Sequence, residues 1–186
     1  DGSTDDTASI AKSNGAIVLR HDKNMGKGAS LREGFKYVLK NSFDAALIMD
    51  ADGQHETSDI DNFFKKMEDT DADIVIGNRM SDTSSMPLAR NITNKFMSYV
   101  ISKLCGHKIP DTQCGFRLIK RKILEDVNLE SSNYEIESEI LIKAAKKGFK
   151  IYSVPIKTVY KGEKSKINPI IDTVRFLALL IKTVIR

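Results

Sequence analysis

The chain predicts an α/β fold with a mostly parallel sheet and helices on both faces. Short apolar runs alternate with amphipathic stretches of helical period through the first half, which is the pattern of βα units. Two of the runs, Ala45-Ala46-Leu47-Ile48-Met49 and Ile74-Val75-Ile76-Gly77, are apolar throughout, as strands covered on both faces are. The 186 residues, 41% hydrophobic and 29% charged, are enough for one soluble domain with a real core.

The elements follow in order. Asp5 to Ser13 reads as a short helix and Ala16 to Arg20 as a strand. Lys27 to Lys40 is a helix whose Leu31, Phe35, Val38 and Leu39 fall on one face. Ala45 to Met49 is the next strand. Thr57 or Ser58 can cap a helix that runs to about Asp69 with Ile60, Phe63, Phe64 and Met67 inward. Ile74 to Gly77 is a third strand. Leu88 to Leu104 is a long helix stopped at Gly106. A strand is expected over Gly115 to Ile119, a helix over Glu135 to Lys147, and strands over Ile151 to Val154 and Ile156 to Tyr160 on either side of Pro155. A last helix starts at Asn168-Pro169. Asp1-Gly2-Ser3 has the character of a loop leaving a strand, so one further βα element is expected ahead of it, and the chain reads as a fragment.

Cys105 and Cys114 do not make a disulfide framework and fit a reducing compartment, with a single bridge still open. The first residues have neither the basic start nor the apolar stretch of a signal peptide. The net charge of +4 is unevenly spread. Residues 1–142 hold 18 Lys/Arg and 23 Asp/Glu, whereas residues 143–186 hold 11 and 2. A basic end of this kind suits an anionic partner, a membrane surface or a nucleic acid, or is simply a solvated face. Nucleic acid is the weak candidate, because aromatic residues for base stacking are sparse there.

Asp50 and Asp52 stand two residues apart at the carboxyl end of an expected buried strand. Ligands bind at that end of open α/β sheets, and paired carboxylates suit a hard divalent cation. A metal site there points to a phosphorylated substrate, most simply a nucleotide diphosphate; a polar strand end leading into the next helix is the plain alternative. Asp1-Gly2-Ser3-Thr4 offers a carboxylate to a base or ribose, or a helix cap. Asn24-Met25-Gly26-Lys27-Gly28 opens a helix whose N–H groups and lysine can meet a diphosphate, or is an ordinary turn.

Taken as an ordered set, Asp1-Gly2-Ser3-Thr4-Asp5, Asn24-Met25-Gly26-Lys27-Gly28, Asp50-Ala51-Asp52-Gly53-Gln54-His55 and Gly77-Asn78-Arg79 resemble the inverting glycosyltransferase family 2. Asp111-Thr112-Gln113-Cys114-Gly115-Phe116-Arg117, the Glu137/Glu139 pair and Lys164-Ser165-Lys166-Ile167-Asn168-Pro169 look like its polyprenyl-phosphate branch. The resemblance spans nearly the whole chain, except that the family's first strand and its loop are absent. It implies a GT-A-type nucleotide-diphospho-sugar transferase fold over residues 1–166, followed by an amphipathic helix over 167–186. It implies a metal site of Asp50, Asp52 and Gln54 for Mg²⁺ or Mn²⁺. Asp1, Lys27, Asp50 and Arg79 would hold the nucleotide sugar, and Arg90, Arg117, Lys164 and Lys166 the acceptor phosphate. Asp52, Arg117 and Glu137 would be catalytic, with Glu137 or Glu139 beneath the acceptor. His55 reads as a packing or supporting residue, and His21 and His107 carry no pattern.

The implied activity is transfer of a sugar from a nucleotide-diphosphate donor to a polyprenyl phosphate at the cytoplasmic face of a membrane. A family 2 enzyme with a hydroxyl acceptor and a non-catalytic nucleotide-sugar or membrane-binding module are the alternatives. In the tail, Ile170, Val174, Leu177, Ile181 and Val184 share one helical stripe, widened by Phe176, Leu179, Leu180 and Ile185. A helix from Pro169 to Arg186 would be roughly 27 Å long. Its charged residues argue for an interfacial helix or one packed on protein rather than a membrane span. Oligomeric state, sugar and base are not written in the sequence.

Overall fold

In the computed structural model, the described residues are 1–84, 86–158 and 174–181. Helices α1 (Thr7–Ser13) and α2 (Lys27–Lys40) precede strand β1 (Ala45–Ile48). A 3₁₀ turn, Thr57–Asp59, leads into α3 (Ile60–Thr70), then β2 (Ile74–Asn78) and a second 3₁₀ turn, Arg79–Ser81. Next come α4 (Leu88–Cys105), β3 (Arg117–Lys120), α5 (Arg121–Asp126), α6 (Ile136–Lys146) and β4 (Ile151–Pro155). Residues 174–181 are helical.

The sheet order is β1-β3-β2-β4. The β2·β4 pair is parallel, with Ile74 opposite Ile151, while β3 runs antiparallel to both β1 and β2. Three strands therefore point one way and β3 lies among them pointing the other. Most strands share one direction, as expected, and the sheet is mixed because the reversed strand is inserted between β1 and β2. That insertion has a consequence for the site: the carboxyl ends of β1 and β2 flank the start of β3, so three loops meet at one edge.

Most apolar runs behave as their pattern requires. Ile74, Val75 and Ile76 of β2 and Leu118 and Ile119 of β3 are fully buried, packed with Phe63 of α3, Phe116 and Leu141 of α6. Phe63 and Phe116 meet ring to ring at 4.3 Å. Helix α4 ends where Gly106 turns left-handed at φ 73°, a conformation that costs glycine nothing. Ser98 and Ser102 on α4 latch the following loop, accepting from the Thr112 and Ile109 N–H groups at 2.9 Å each.

Two departures have physical causes. Ala16 to Arg20 is not a strand: no ladder partner lies beside it among the described residues, and Ile17, Val18 and Leu19 are exposed. An apolar run becomes a strand only when a neighbour completes its hydrogen bonds. The six-residue α5 was not expected at all, since so short a helix displays less than two turns of periodicity. In the expected strand Ile156 to Tyr160, Thr158 makes a single antiparallel bridge to His55, Ile156 is buried and its N–H donates to the Asn78 carbonyl at 3.3 Å, and residues 159 and 160 lie outside the described residues. Cys105 and Cys114 are free thiols, each pushed up to about 12 chiefly by burial, so no bridge joins them.

Candidate active site

Lysine 27 is the centre of the site. It is the first residue of α2, and its Nζ lies 2.7 Å from Asp50 Oδ1 and 2.6 Å from Glu137 Oε1. Desolvation alone would lower the lysine pKa; the Glu137 and Asp50 carboxylates outweigh it and raise the value, so the ammonium is firmly charged. Three segments thus converge: the start of α2, the end of β1 and the start of α6. The Tyr134 ring lies beneath the same ammonium at 5.9 Å.

Gly115 makes this convergence sterically possible. A Cβ there would sit 2.4 Å from Asp50 Oδ2 and 3.1 Å from Lys27 Nζ. The missing side chain is the cradle in which the Asp50 carboxylate rests. Asp52 is exposed, and its Oδ1 accepts from the Gln54 N–H at 3.0 Å, which shapes the 50–54 turn.

Asp1 organises a loop. Its carboxylate accepts from the Met25 and Gly26 N–H groups at 2.7 and 2.9 Å and pairs with His21 Nδ1 at 2.9 Å. The expected phosphate cradle at the start of α2 is occupied by protein: Ala29 N–H donates to the Ser132 carbonyl at 3.2 Å. Cβ atoms at Gly26 and Gly28 would strike Ser131, Ser132 and Asn133. These glycines admit a neighbouring loop instead of a ligand.

The arginines are the main correction. Arg117 is 1% exposed. Its Nε donates to the Cys114 carbonyl at 2.7 Å, its Nη1 to the Glu137 carbonyl at 2.6 Å and its Nη2 to the Thr112 carbonyl at 2.9 Å. A fork buried in this way does not meet an acceptor phosphate; it ties the 112–114 loop to the start of α6 and so positions Glu137. Arg79 spends its fork on the buried carboxylate of Asp111, with Nε and Nη2 at 2.7 and 2.9 Å, and its backbone N–H reaches the same group at 3.1 Å. It joins the end of β2 to the 111–117 loop. Arg90 lies half-buried in the first turn of α4. Lys164 and Lys166 lie outside the described residues.

The two glutamates at spacing two divide their labour, as a helix dictates. Glu137 faces Lys27. Glu139 is buried and accepts from the Glu130 and Ser131 N–H groups, at 3.0 and 2.9 Å, and from Lys143 Nζ at 2.6 Å. Burial would raise its pKa; Lys143 and the loop N–H groups together lower it. A depressed folded value stabilises the protein above the ordinary glutamate range, and that contribution is lost as pH falls through the folded pKa. Glu139→Gln should therefore cost about 1–3 kcal/mol at neutral pH. The cost should shrink in acid, as read by denaturant melts at the two pH values. Glu135 is half-buried and accepts from the Asn133 N–H at 3.3 Å. His55 is a packing residue as expected, stacked on Phe116 with centroids 5.1 Å apart; burial is the chief cause lowering its pKa.

Residues 1–127 match Glycosyl transferase family 2. The chain belongs to that family. Its likeness is to the polyprenyl-phosphate branch. It is 32% identical over 149 residues to a UDP-N-acetylglucosamine–dolichyl-phosphate N-acetylglucosaminyltransferase of Methanococcus voltae, covering 77% of the chain and 59% of the relative. It is 33% identical over 187 residues to a dolichyl-phosphate beta-glucosyltransferase of Trichomonas vaginalis, covering 92% of the chain and 56% of the relative. In structure it is similar to glucosyl-3-phosphoglycerate synthase of Mycobacterium tuberculosis, solved with Mn²⁺, UDP-glucose and phosphoglyceric acid. The TM-score is 0.69 at 15% identity, over 98% of the chain and 65% of that protein. The GT-A-type fold expected from the motifs is thereby shown.

The metal expectation can be tested against this glycosyltransferase's own residues. Among the described residues no group of three or more His, Cys, Asp or Glu side chains could hold an ion. A cation that takes several oxygens from a donor diphosphate needs only one or two carboxylates from the protein. Asp50, cradled at Gly115, and Asp52, two residues on, are a hard-oxygen pair of that kind, and they fit. Sequence reasoning gave no role to Gly115, Asp111, His21 or Tyr134. Gly115 and Asp111 lay within a motif already singled out, whereas nothing in the sequence links His21 to Asp1 or Tyr134 to Lys27.

Proposed function

We propose that the chain is the catalytic part of an inverting glycosyltransferase that moves a sugar from a nucleotide-diphosphate donor to a polyprenyl phosphate. The observation that carries the reading is the meeting of Lys27, Asp50 and Glu137 at the edge where β1 and β2 end. Relatives named for dolichyl-phosphate acceptors support the acceptor class.

An acceptor phosphate oxygen attacks the anomeric carbon, and the bond from that carbon to the donor diphosphate breaks on the opposite face. The acceptor is already an anion near neutral pH, so no side chain need remove a proton. Glu137 accordingly acts on Lys27, holding the ammonium in place. Lys27 offers fixed positive charge where the diphosphate leaves. Asp50 and Asp52, with Gln54 beside them, would hold Mg²⁺ or Mn²⁺. When bound, the cation neutralises charge on the leaving diphosphate. Asp1 sets the 24–27 turn from behind. Arg90, and Lys164 and Lys166 beyond the described residues, are assigned to the acceptor phosphate. The membrane setting, at its cytoplasmic face, is part of the same proposal. No described helix is long and apolar enough to cross a membrane. The 174–181 helix buries Phe176 and Leu179 and leaves Val174, Leu177 and Ile181 exposed, which supports a helix packed on the domain with its outer stripe turned to a bilayer surface.

The test is turnover of nucleotide sugars with a short-chain polyprenyl phosphate. Asp52→Asn keeps the shape and removes the charge. It should lower turnover about a hundredfold or more, the scale of several kcal/mol of lost charge stabilisation, with an unchanged melt. Full activity of this variant in excess chelator, or turnover that requires a hydroxyl acceptor and ignores lipid phosphate, would overturn the reading.

A further inference from the structure

Helix α4 wears its apolar residues on the outside. Leu88 is 74% exposed, Ile92 60%, Phe96 63% and Tyr99 63%. Their spacing of four, four and three places them on one stripe of the helix. The inward face is held by Asn94, Ser98 and Ile101, so the domain core does not need the outer stripe. Four large apolar side chains in a row on a surface mark a contact site.

The charges on the helix select the partner. The 18 residues of α4 include Arg90, Lys95 and Lys103 and no acidic residue. Lys95 and Lys103 fall on the outward face among the apolar residues, and Lys103 Nζ lies 5.7 Å from the Tyr99 ring. A second copy of this face would set lysine against lysine. An anionic surface that accepts apolar side chains while lysines reach to its headgroups fits both features.

We infer that the outward face of α4 docks on an anionic lipid bilayer surface. The inference deepens the lipid-acceptor reading and rests on it for the purpose of docking. Helix α4 begins close after the Arg79–Ser81 turn, so docking along it sets the active-site edge near the headgroup layer, where a lipid phosphate resides.

The experiment is co-sedimentation of the full chain with phosphatidylcholine vesicles, with and without phosphatidylglycerol, at low and high salt. No donor or acceptor is present, so the outcome does not depend on turnover. Leu177 and Ile181 remain unchanged in every variant, which keeps the tail's contribution constant. Ile92→Glu with Phe96→Glu should weaken binding to phosphatidylglycerol vesicles at least about tenfold, since charge replaces two insertable side chains. Its melt should be unchanged, because both sites are exposed; Leu88→Ser with Tyr99→Ser serves as a second variant. Lys95→Glu with Lys103→Glu should reduce the phosphatidylglycerol-dependent part of binding, leaving the share that the basic tail supplies. The inference is overturned if the intact chain ignores anionic vesicles, or if the variants bind as it does. It is also overturned if the Ile92/Phe96 variant splits a dimer in sedimentation velocity without changing vesicle binding. Sugar transfer to a soluble short-chain acceptor with no vesicle binding would sink docking alone. Docking without transfer under any donor would leave docking standing and remove the proposed reaction.

Discussion

Arg117→Met should lose about 3–5 kcal/mol of stability, a large share of the roughly 5–15 kcal/mol that holds a typical single domain folded. The substitution keeps an unbranched apolar stem and deletes the guanidinium. The carbonyls of Thr112, Cys114 and Glu137 then lose their donor, in a place where Arg117 itself is 1% exposed. Unsatisfied buried acceptors bear their full desolvation cost. Arg117→Lys keeps the charge but cannot span three carbonyls, and it should be destabilised by a smaller amount. The decisive measurement is a denaturant melt beside acceptor kinetics. A residue that bound acceptor phosphate would show normal stability and a selective fall in acceptor kcat/KM. Destabilisation, with the folded fraction keeping its acceptor kcat/KM, is expected here.

Gly115→Ala should do the reverse. The three atoms nearest the added methyl all belong to side chains, those of Asp50 and Lys27. Both can swing aside, so the melt should move by less than about 1 kcal/mol, the ordinary range for a substitution without a core or backbone conflict. The displaced carboxylate and ammonium, however, leave the geometry the donor needs. A misplacement of about 1 Å is worth on the order of a hundredfold in rate. Turnover at saturating acceptor, measured beside circular dichroism, checks it. Near-normal turnover in Gly115→Ala would show that Asp50 and Lys27 do not need their present positions for the reaction.

Much of the fold was legible because its signals are local. The 3.6-residue period of α2, the apolar run of β2 and the glycine after α4 each act within a few residues, and the structure follows them closely. The direction of β3 was not legible, because Arg117 to Lys120 reads the same whichever neighbour it pairs with. The strand expected at Ala16 to Arg20 failed for a related reason: its formation depends on a partner, which its own residues do not encode. In the site, residue types announced the chemistry but not its geometry. Asp50 and Lys27 were expected to share a ligand, and they stand together. Arg79 and Arg117 look equally suited to phosphate in sequence; only burial and the nearby carboxylate and carbonyls separate ligand binding from internal bracing. Part of the basic skew was likewise misleading. Lys143, Lys147 and Lys150 are spent on Glu139, the Asp126 carbonyl and Asp71 within the domain.

The loop that presses on Gly26 and Gly28 also bears on how this domain must assemble. Arg32 of α2 donates to the Ser131 carbonyl at 3.0 Å across a separation of 99 residues, and Glu139 pins the same loop from the other side. The Lys27 end of α2 is therefore finished only when a segment from the far half of the chain arrives. Contacts of such span are slow to form, since the loop must close before they return any energy. Donor affinity should accordingly be among the last properties recovered during refolding, after helical signal has returned. A nascent chain that has emerged only as far as β2 would have Asp50, Asp52 and Lys27, yet no Glu137 and no completed site.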